Sequence, residues 1–313
     1  MIIDAHTHIF GKKEVKPNWS WEGLNKLIGA RSGKTAEEMA KYRDSSFDLT
    51  GNVFVSNMDR AGVDRAVVCA IDLGLAIPGE DAPIPIEEIN RLTAQIIQRH
   101  PDRLYFSVAV DPRRKNARGI IEMGFRELGA KTVKLYPGSG WYPNDRIAYP
   151  IYEKCVELGL PVNYHTGPVY GPLKSKFSHP MHIDDVAADF PDLTIYCTHC
   201  GHGFFMEMVA IARARPNVIC DIAAWLPWLY AGEALRFYQT WRYISNMIGY
   251  RRLLFASDHT GVKFSPDLRD EYVDWVKALT QIPFWVKEAG VTFKKEELEA
   301  FFSGNAIRWL KLH

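Results

Sequence analysis

The stretch Ile3-Asp4-Ala5-His6-Thr7-His8 has the apolar pattern of a β-strand and sets the interpretation of the rest of the chain. Successive side chains of a strand point to opposite faces, so the imidazoles of His6 and His8 point the same way. Two neutral imidazoles at a strand end can bind a cation such as zinc. A lone His-x-His pair also arises by chance, so the pair needs support from the rest of the sequence.

Short apolar or β-branched runs recur after this stretch, each followed by a turn signal and then a segment with helical spacing of apolar residues. The predicted strands are residues 2–6, 65–71, 104–109, 132–136, 161–165, 194–198, 218–222 and 253–257. Predicted helices include residues 86–100, 116–128, 147–158, 204–215, 267–279 and 295–310. This alternation predicts an α/β fold, the closed (β/α)8 TIM barrel. The competing doubly wound sheet is disfavoured because no Gly-rich phosphate loop follows the first strand.

Residues 1–313 are predicted to form a single barrel domain with a lid insertion at residues 11–50. The insertion separates the first strand from its helix and carries Trp19, Trp21 and Phe47. A second irregular stretch is predicted at residues 226–234. Both follow strands at the end of the barrel where active sites are built, so they are interpreted as substrate-covering segments. A surface excursion or a subunit contact is an equal alternative for the first.

The charge balance excludes some partners. Lys and Arg number 38 and Asp and Glu number 37, so no net field holds nucleic acid or an anionic membrane surface. A small-molecule substrate is the expected partner. The five cysteines are an odd number and predict reduced thiols. No leader pattern and no apolar run of about 18 residues occurs, which predicts a cytoplasmic protein with no membrane partner.

Three further candidate ligands fall at the ends of later predicted strands. His165 ends Pro161-Val-Asn-Tyr-His165, His199 follows Thr194-Ile-Tyr-Cys-Thr, and Asp258 follows Leu253-Leu-Phe-Ala-Ser. Catalytic groups of barrels sit at the carboxyl ends of the strands. A single histidine there can be a satisfied core residue, but five such groups together are costly to bury without a cation. The pattern therefore predicts a metal site.

On these motifs the sequence resembles the amidohydrolase superfamily, in particular the amidohydrolase-2 branch that contains aminocarboxymuconate-semialdehyde decarboxylase and related metal-dependent hydrolases. The resemblance runs from the opening strand to Ser257-Asp258 and Gly304-Asn305-Ala306. Each motif alone is ambiguous, and their combination is specific.

The resemblance implies a divalent metal bound by His6, His8, His165 and Asp258, with His199 beside it as an acid/base group. Zinc is the expected metal and manganese an alternative. Such a cation lowers the pKa of a bound water towards ~7. His199 then orients the water or moves a proton, while Asp258 accepts the water's proton and passes it to a leaving group.

Lys134 ends the fourth predicted strand, and two interpretations stay open. Other superfamily branches carboxylate a lysine at this place to bridge two metals. Alternatively, Lys134 is a charged lysine that pairs with a substrate carboxylate or an acidic residue. The overall pattern favours the mononuclear branch, and Lys134 is taken as a substrate-binding residue.

Aromatic residues follow the same strand ends. Trp141, Tyr170 and Trp225 are the candidate substrate-binding rings, and Tyr142 and Trp228 lie near them. Such rings form the apolar walls of ligand clefts, although packing is an equal alternative for each. Their concentration suggests a planar or cyclic substrate.

Other polar residues carry weaker signals. Cys197-Thr-His-Cys200 has the spacing of half a zinc site, but no second C-x-x-C follows, so packing is favoured. The remaining loop and strand-end histidines are expected to be hydrogen-bonding or surface residues: His179, His182, His202 and His259. Several arginines are possible carboxylate clamps, and the spacing selects none of them: Arg60, Arg65 and Arg251.

Two reactions fit the predicted site. Hydrolysis of a small lactone, ester or amide uses the activated water. Non-oxidative decarboxylation instead protonates the carbon that bears the carboxyl group of an unsaturated or aromatic acid. The family's decarboxylases usually have His-Pro after strand five, whereas this chain has His165-Thr166-Gly167, so hydrolysis is favoured.

A non-catalytic metal-binding scaffold is the third hypothesis. It is disfavoured because His199 looks spare, whereas structural zinc sites have four fixed ligands and no acid/base group to spare. A homodimer is expected from the resemblance and from the frequency of symmetric dimers.

Overall fold

The computed structural model describes residues 1–261 and 270–312. Its sheet contains eight parallel strands in the order β1 to β8, so each strand pairs with its neighbours in the sequence. The strands are β1 (Ile3–Thr7), β2 (Arg65–Cys69), β3 (Leu104–Ala109), β4 (Thr132–Leu135), β5 (Val162–His165), β6 (Ile195–Thr198), β7 (Val218–Asp221) and β8 (Leu253–Leu254). All eight lie within the predicted strands except for the last residue of β1, Thr7.

The first and last strands close the sheet. The Ala5 amide donates to the Phe255 carbonyl at 3.0 Å, and the Asp258 amide donates to the His6 carbonyl at 2.9 Å. The chain therefore continues alongside β1 after the short regular strand β8. This closure confirms the predicted (β/α)8 barrel over the doubly wound alternative.

Helices alternate with the strands around the barrel. They are α1 (Asn18–Ser32), α2 (Ala36–Asp44), α3 (Asn52–Ala61), α4 (Ile86–Ile97), α5 (Ala117–Arg126), α6 (Tyr149–Leu158), α7 (Met181–Asp189), α8 (Phe205–Ala214), α9 (Leu226–Tyr230), α10 (Ala234–Ile248), α11 (Glu271–Thr280), α12 (Phe284–Glu288), α13 (Lys295–Glu299) and α14 (Asn305–Leu310). A π-helical turn, Ala300–Gly304, joins the last two. The first residues of the helix predicted at 267–279 lie outside the described residues. The stretch predicted to be irregular at 226–234 instead begins with the short helix α9.

Polar side chains cross the inside of the barrel between strands that are not neighbours. Lys134 of β4 reaches His6 of β1, with Nζ and Nε2 2.9 Å apart. Asn163 of β5 donates from Nδ2 to the Cys69 sulfur of β2 at 3.6 Å. These four residues therefore point inward, while the larger apolar cluster packs the helices onto the outside of the strands.

The insertion at residues 11–50 is ordered into the helices α1 and α2, and the barrel helix α3 follows it. Helix α1 bridges loops that follow two different strands. Trp19 donates from Nε1 to the Glu80 carbonyl after β2 at 3.1 Å. Ser20 Oγ lies 2.8 Å from the hydroxyl of Tyr170 after β5. These contacts attach the insertion to the loops after β2 and β5, and its covering role stays a prediction.

Among the residues described, no helix is both long enough and apolar enough to cross a membrane.

Gly23 sets how closely α1 approaches the loop after β5. A Cβ added at Gly23 would lie 2.0 Å from the Gly171 carbonyl oxygen. Alanine favours a helix by about 1 kcal/mol over glycine, but overpacking of this kind costs about 1–3 kcal/mol. We expect Gly23→Ala to lower the free energy of unfolding, measured in urea, and to speed proteolysis within residues 11–50. Ala30→Gly, at an exposed position of the same helix, measures how much alanine alone stabilises this helix relative to glycine. A stabilised Gly23→Ala variant would show that α1 is not held against this loop.

Candidate metal centre

The end of β1 brings two imidazoles together. His6 Nε2 and His8 Nε2 lie 3.1 Å apart, and both side chains are buried. Asp4 is two residues before His6 on the same face of β1, and it is fully buried. The period-two expectation of the sequence is therefore confirmed for His6 and His8.

Asp258 joins this pair through the hydrogen bond that closes the barrel. Its Oδ1 lies 3.6 Å from His6 Nε2 and 3.4 Å from His8 Nε2. Its backbone has a φ of 62°, a strained conformation for a residue with a side chain. Burial acts to raise the pKa of Asp258, but the neighbouring His6, His8 and His199 together hold that pKa well below its usual value. This direction favours the ionised carboxylate.

Backbone carbonyls fix the tautomers of two histidines. His8 Nδ1 lies 2.8 Å from the Cys69 carbonyl, and His199 Nδ1 lies 3.2 Å from the Ala223 carbonyl. A carbonyl only accepts, so each Nδ1 carries the proton and each Nε2 keeps a free lone pair. Burial lowers the pKa of His8, which favours the neutral ligand form.

The donor atoms fit a shared cation. The ligating atoms of His6, His199 and Asp258 all lie within 4.8 Å of one another. Two ligands with bonds of ~2.1 Å to one ion lie roughly 3.0–3.4 Å apart, close to the distances between His6, His8 and Asp258. In addition, His6 Nδ1 and His165 Nε2 are buried without a hydrogen-bond partner in the part of the chain described. A cation would give His165 Nε2 the partner it lacks.

His165 ends β5 as predicted, but it lies at the side of this cluster. Its ring stacks on Tyr136, with centroids 4.4 Å apart, and its centroid is 4.9 Å from that of His199. Burial, together with the nearby His199 and Lys134, lowers the pKa of His165 well below its usual value. His199, expected to be an acid/base group, belongs to the cluster, because its ligating atom lies within 4.8 Å of those of His6 and Asp258.

Lys134 is buried with its amine inside the cluster. Nζ lies 2.9 Å from His6 Nε2 and 3.2 Å from Asn163 Oδ1. Burial lowers the pKa of this amine, and only weaker attractions from Cys69, Asp258 and Asp221 oppose the effect.

The predicted aromatic residues are placed differently from one another. Trp225 is fully buried and donates to the His199 carbonyl at 2.9 Å, so it supports that loop. Trp141 is 2% exposed and donates to Ser139 Oγ at 3.1 Å. Tyr170 is half-buried and contacts the insertion. The direct role of these rings in substrate binding stays a prediction.

Most of the residues with weaker sequence signals lie away from the cluster. Cys197 and Cys200 are buried free thiols, which agrees with packing. His179 and His182 contact aromatic rings away from the cluster, and His202 packs edge-on against Trp225. His259 stacks on Tyr272 with centroids 4.3 Å apart. The arginines Arg60 and Arg251 contact Asp270 and Tyr250, respectively, and Arg65 contacts Tyr105.

A family model described as amidohydrolase matches residues 3–312. The chain belongs to the amidohydrolase family. This membership confirms the resemblance drawn from the sequence and identifies the protein as an amidohydrolase-family enzyme. A comparison with curated proteins found no significant match.

Solved structures similar to this amidohydrolase include enzymes of three reaction types. One is 5-carboxyvanillate decarboxylase from Novosphingobium aromaticivorans, complexed with manganese and 4-hydroxy-3-methoxy-5-nitrobenzoic acid (18% identity, TM-score 0.68, 100% of this chain and 96% of that chain). Another is a probable 2-pyrone-4,6-dicarboxylic acid hydrolase from Acinetobacter baumannii with citric acid bound (13% identity, TM-score 0.62, 99% of this chain and 99% of that chain). A third is 4-oxalomesaconate hydratase from Rhodopseudomonas palustris (20% identity, TM-score 0.62, 99% of this chain and 96% of that chain). At these identities the likeness establishes the fold alone.

Sequence reasoning missed the residues that support the amidohydrolase cluster. Asp4 accepts hydrogen bonds from the Ser257 amide at 3.0 Å and the Ser257 hydroxyl at 2.5 Å, directly before Asp258. Burial raises its pKa to about 7. The period-two spacing of Asp4 with His6 and His8 was a usable signal. Asn163 carried the same signal, because it lies two residues before His165.

Asp221, at the end of β7, holds the His199 loop. Its Oδ1 accepts from the His199 amide at 2.7 Å and the Ala223 amide at 2.8 Å, and its Oδ2 accepts from the Tyr196 hydroxyl. No sequence pattern singled it out, since its partners come together only in the folded barrel.

We expect Asp221→Ala to lower the free energy of unfolding by about 3 kcal/mol or more. Each buried donor left without an acceptor costs about 1–3 kcal/mol, and three donors lose theirs. Urea denaturation measures the change. Asp192→Ala, at an exposed aspartate before β6, is the control and should change stability by less than about 0.5 kcal/mol. Equal effects of the two substitutions would contradict the positioning role of Asp221.

Proposed function

We propose that this protein is a metal-dependent hydrolase that acts on a small cyclic or aromatic lactone, ester or amide. The observation that carries the proposal is the convergence of imidazole lone pairs on an ionised carboxylate, at the carboxyl ends of β1, β6 and β8. This is the end of the barrel at which enzymes of this fold place their chemistry.

We assign His6, His8, His165 and Asp258 as the metal ligands. The short distances among His6, His8 and Asp258 and the unpartnered Nε2 of His165 support the assignment. His199 is also close enough to bind the metal. The metal content of a His199 variant therefore has to decide whether this residue is a ligand. The imidazole-rich donor set favours zinc, whereas a solved neighbour binds manganese. When bound, such a cation supplies an activated water at neutral pH and polarises the carbonyl group it faces.

The chain's own groups then move the protons. Asp258, held ionised, accepts the proton of the attacking water and returns it to the leaving group. His199 presents Nε2 towards the same point, because its Nδ1 is committed to the Ala223 carbonyl. Lys134, inside the cluster, is placed to donate to an oxygen of the substrate. The rings of Trp141, Tyr170 and Trp225 are proposed as walls of the substrate cleft.

Non-oxidative decarboxylation is the second candidate. It is favoured by the solved neighbours that are decarboxylases of aromatic acids. The same cluster would then hold the acid while a protonated group adds a proton to the carbon that loses the carboxyl group.

A purely structural metal site is less consistent with the cluster. The Asp258 side chain is 32% exposed, so one edge of an otherwise buried cluster reaches the solvent. The expected dimer and the expected cytoplasmic location stay predictions.

The first prediction for this site concerns metal content. We expect about one divalent metal per chain in the purified protein and at least ~10-fold weaker metal binding in His6→Ala, measured by elemental analysis and chelator competition. His100→Ala, at a histidine that contacts the Thr50 carbonyl away from the cluster, is the matched control. Metal-free protein that cannot be reconstituted would overturn the proposal. Two metals per chain, one of them lost in Lys134→Ala, would replace the mononuclear site by a binuclear one.

A second prediction concerns the reaction. We expect a panel of lactones and aromatic acids to give ring opening without carbon dioxide release. His199→Ala should lower kcat by about 10²- to 10⁴-fold while it keeps its metal, because a proton-transfer group is lost. Release of carbon dioxide from the acids would move the protein to the decarboxylases. Loss of metal from His199→Ala would make His199 a ligand instead.

A further inference from the structure

The turn after β6 has an unusual backbone. Four consecutive residues have positive φ angles, and only one of them is a glycine: His199 (66°), Cys200 (45°), Gly201 (71°) and His202 (44°). The ψ of His202 is −105°. These two angles are close to those of the first central residue of a type II′ turn, a position that glycine dominates because a Cβ is strained there. A histidine at this position therefore lowers the stability of the turn.

The neighbouring chain holds the turn in this conformation. The Gly201 amide donates to Thr166 Oγ1, after β5, at 3.0 Å. A Cβ added at Gly167 would lie 2.9 Å from the Gly201 carbonyl oxygen and 3.2 Å from the His202 Cβ, so the two loops are in close contact. The backbone of His202 thus has little room to relax. Strain that is maintained by its surroundings is concentrated at functional sites of proteins.

The imidazole of His202 has no protein partner for its nitrogens. No hydrogen bond to either ring nitrogen is found in the part of the chain described. By contrast, the rings of His8, His199 and His259 each hydrogen-bond to the protein. His202 is half-buried and precedes the exposed Gly203, so solvent reaches it. Its polar atoms are therefore available to a molecule that enters from the solvent.

His202 lies at the end of the barrel that carries the cluster. Only two residues separate it from His199, so the two Cα atoms are at most roughly 11 Å apart. Trp225 contacts the His202 ring edge-on, with centroids 5.9 Å apart, and donates to the His199 carbonyl at 2.9 Å. Burial, together with the nearby His199 and Arg31 of α1, lowers the pKa of His202 to about 4. The neutral imidazole that results offers one donor and one acceptor.

We propose that His202 contacts the bound substrate and hydrogen-bonds one of its uncharged oxygen or nitrogen atoms. The inference rests on the proposed function of the site and deepens it, because it names a further residue that recognises the substrate. A group of this kind discriminates against analogues that lack the matching atom, since the imidazole then stays unpaired. Glycine would relieve the strain in the turn, but it has no side chain with which to make this contact.

Substitutions of His202 separate this role from a structural one. His202→Gly permits the backbone angles and should raise Tm by about 2 °C or more. The same variant should lower kcat/KM at least ~10-fold for the best substrate in a panel of lactones, esters and amides. A structural imidazole would instead make Tm fall. His202→Asn keeps a donor and an acceptor and tolerates a positive φ, so it should recover part of the lost kcat/KM, whereas His202→Phe should not.

Lys311→Gly is the matched control for relief of strain. Lys311 has a φ of 53°, and its Nζ donates to the Gly159 carbonyl, before β5, at the opposite end of the barrel from the cluster. This variant should leave kcat/KM within ~2-fold of the wild type, since loops at that end of a barrel do not contact the substrate.

Protection from chemical modification gives a readout that needs no turnover. Diethylpyrocarbonate acylates accessible neutral imidazoles, and mass spectrometry of peptides measures the rate at each histidine. The panel compound that calorimetry shows to bind most tightly to the metal-loaded protein should slow modification of His202 at least ~5-fold, because a bound ligand covers the groups it contacts. Modification of His100, which contacts the Thr50 carbonyl away from the cluster, should not change.

The two readouts distinguish failure of the inference from failure of the proposed function. Normal turnover in His202→Gly, or no protection of His202 by a bound compound, defeats the inference alone. Protection of His202 by a compound that binds but is not hydrolysed supports the inference and defeats the proposed function. A panel in which no compound binds defeats both.

Discussion

The hydrogen bond from the Asp258 amide to the His6 carbonyl is the contact on which the rest of this structure depends. It closes the barrel between the last strand and the first, and it also places a carboxylate beside two imidazoles. Because the bond joins the two candidate ligands through their backbones, any opening of the barrel at this seam separates the site. The stability of the fold and the integrity of the cluster are therefore coupled. The strained φ of Asp258 is maintained by this closure and by Ser257, whose amide and hydroxyl bond to Asp4.

The cluster is made ready for a cation by neutral backbone groups. The Cys69 and Ala223 carbonyls hold the Nδ1 protons of His8 and His199, which leaves Nε2 of each neutral ring as the ligating atom, and the Nε2 atoms of His6 and His8 lie 3.1 Å apart. Such an arrangement is unfavourable without a positive charge, because lone pairs repel and His165 Nε2 has no donor nearby in the described structure. A divalent ion at this place would remove that repulsion and give His165 Nε2 a partner. Further out, Asp221 fixes the loop that carries His199.

The insertion packs against loops at the end of the barrel that carries the cluster. Helix α1 is fixed to the loops after β2 and β5 by Trp19 and Ser20, and the chain before it presents Lys16 over Phe10 and Trp21. In barrels of this type the strand ends carry the reacting groups, and the segments after the strands contact the substrate.

The sequence by itself determined the barrel and the inward face of β1, and it predicted that His6, His8, His165, His199 and Asp258 meet at one end of the barrel. It did so because strand periodicity is local, and because the carboxyl ends of parallel strands meet at one edge. Helices α7 and α10 were not singled out, and α9 was predicted to be irregular. The buried residues of α10 nevertheless recur at helical spacing from Phe237 to Ile248, so that helix carried a local signal. Only the tertiary structure decided which carbonyl holds each imidazole, that His165 lies beside the cluster, that Trp225 supports a loop, and that Lys16 is buried against Phe10 and Trp21. Those facts depend on contacts between residues far apart in the chain, and no local pattern encodes such contacts.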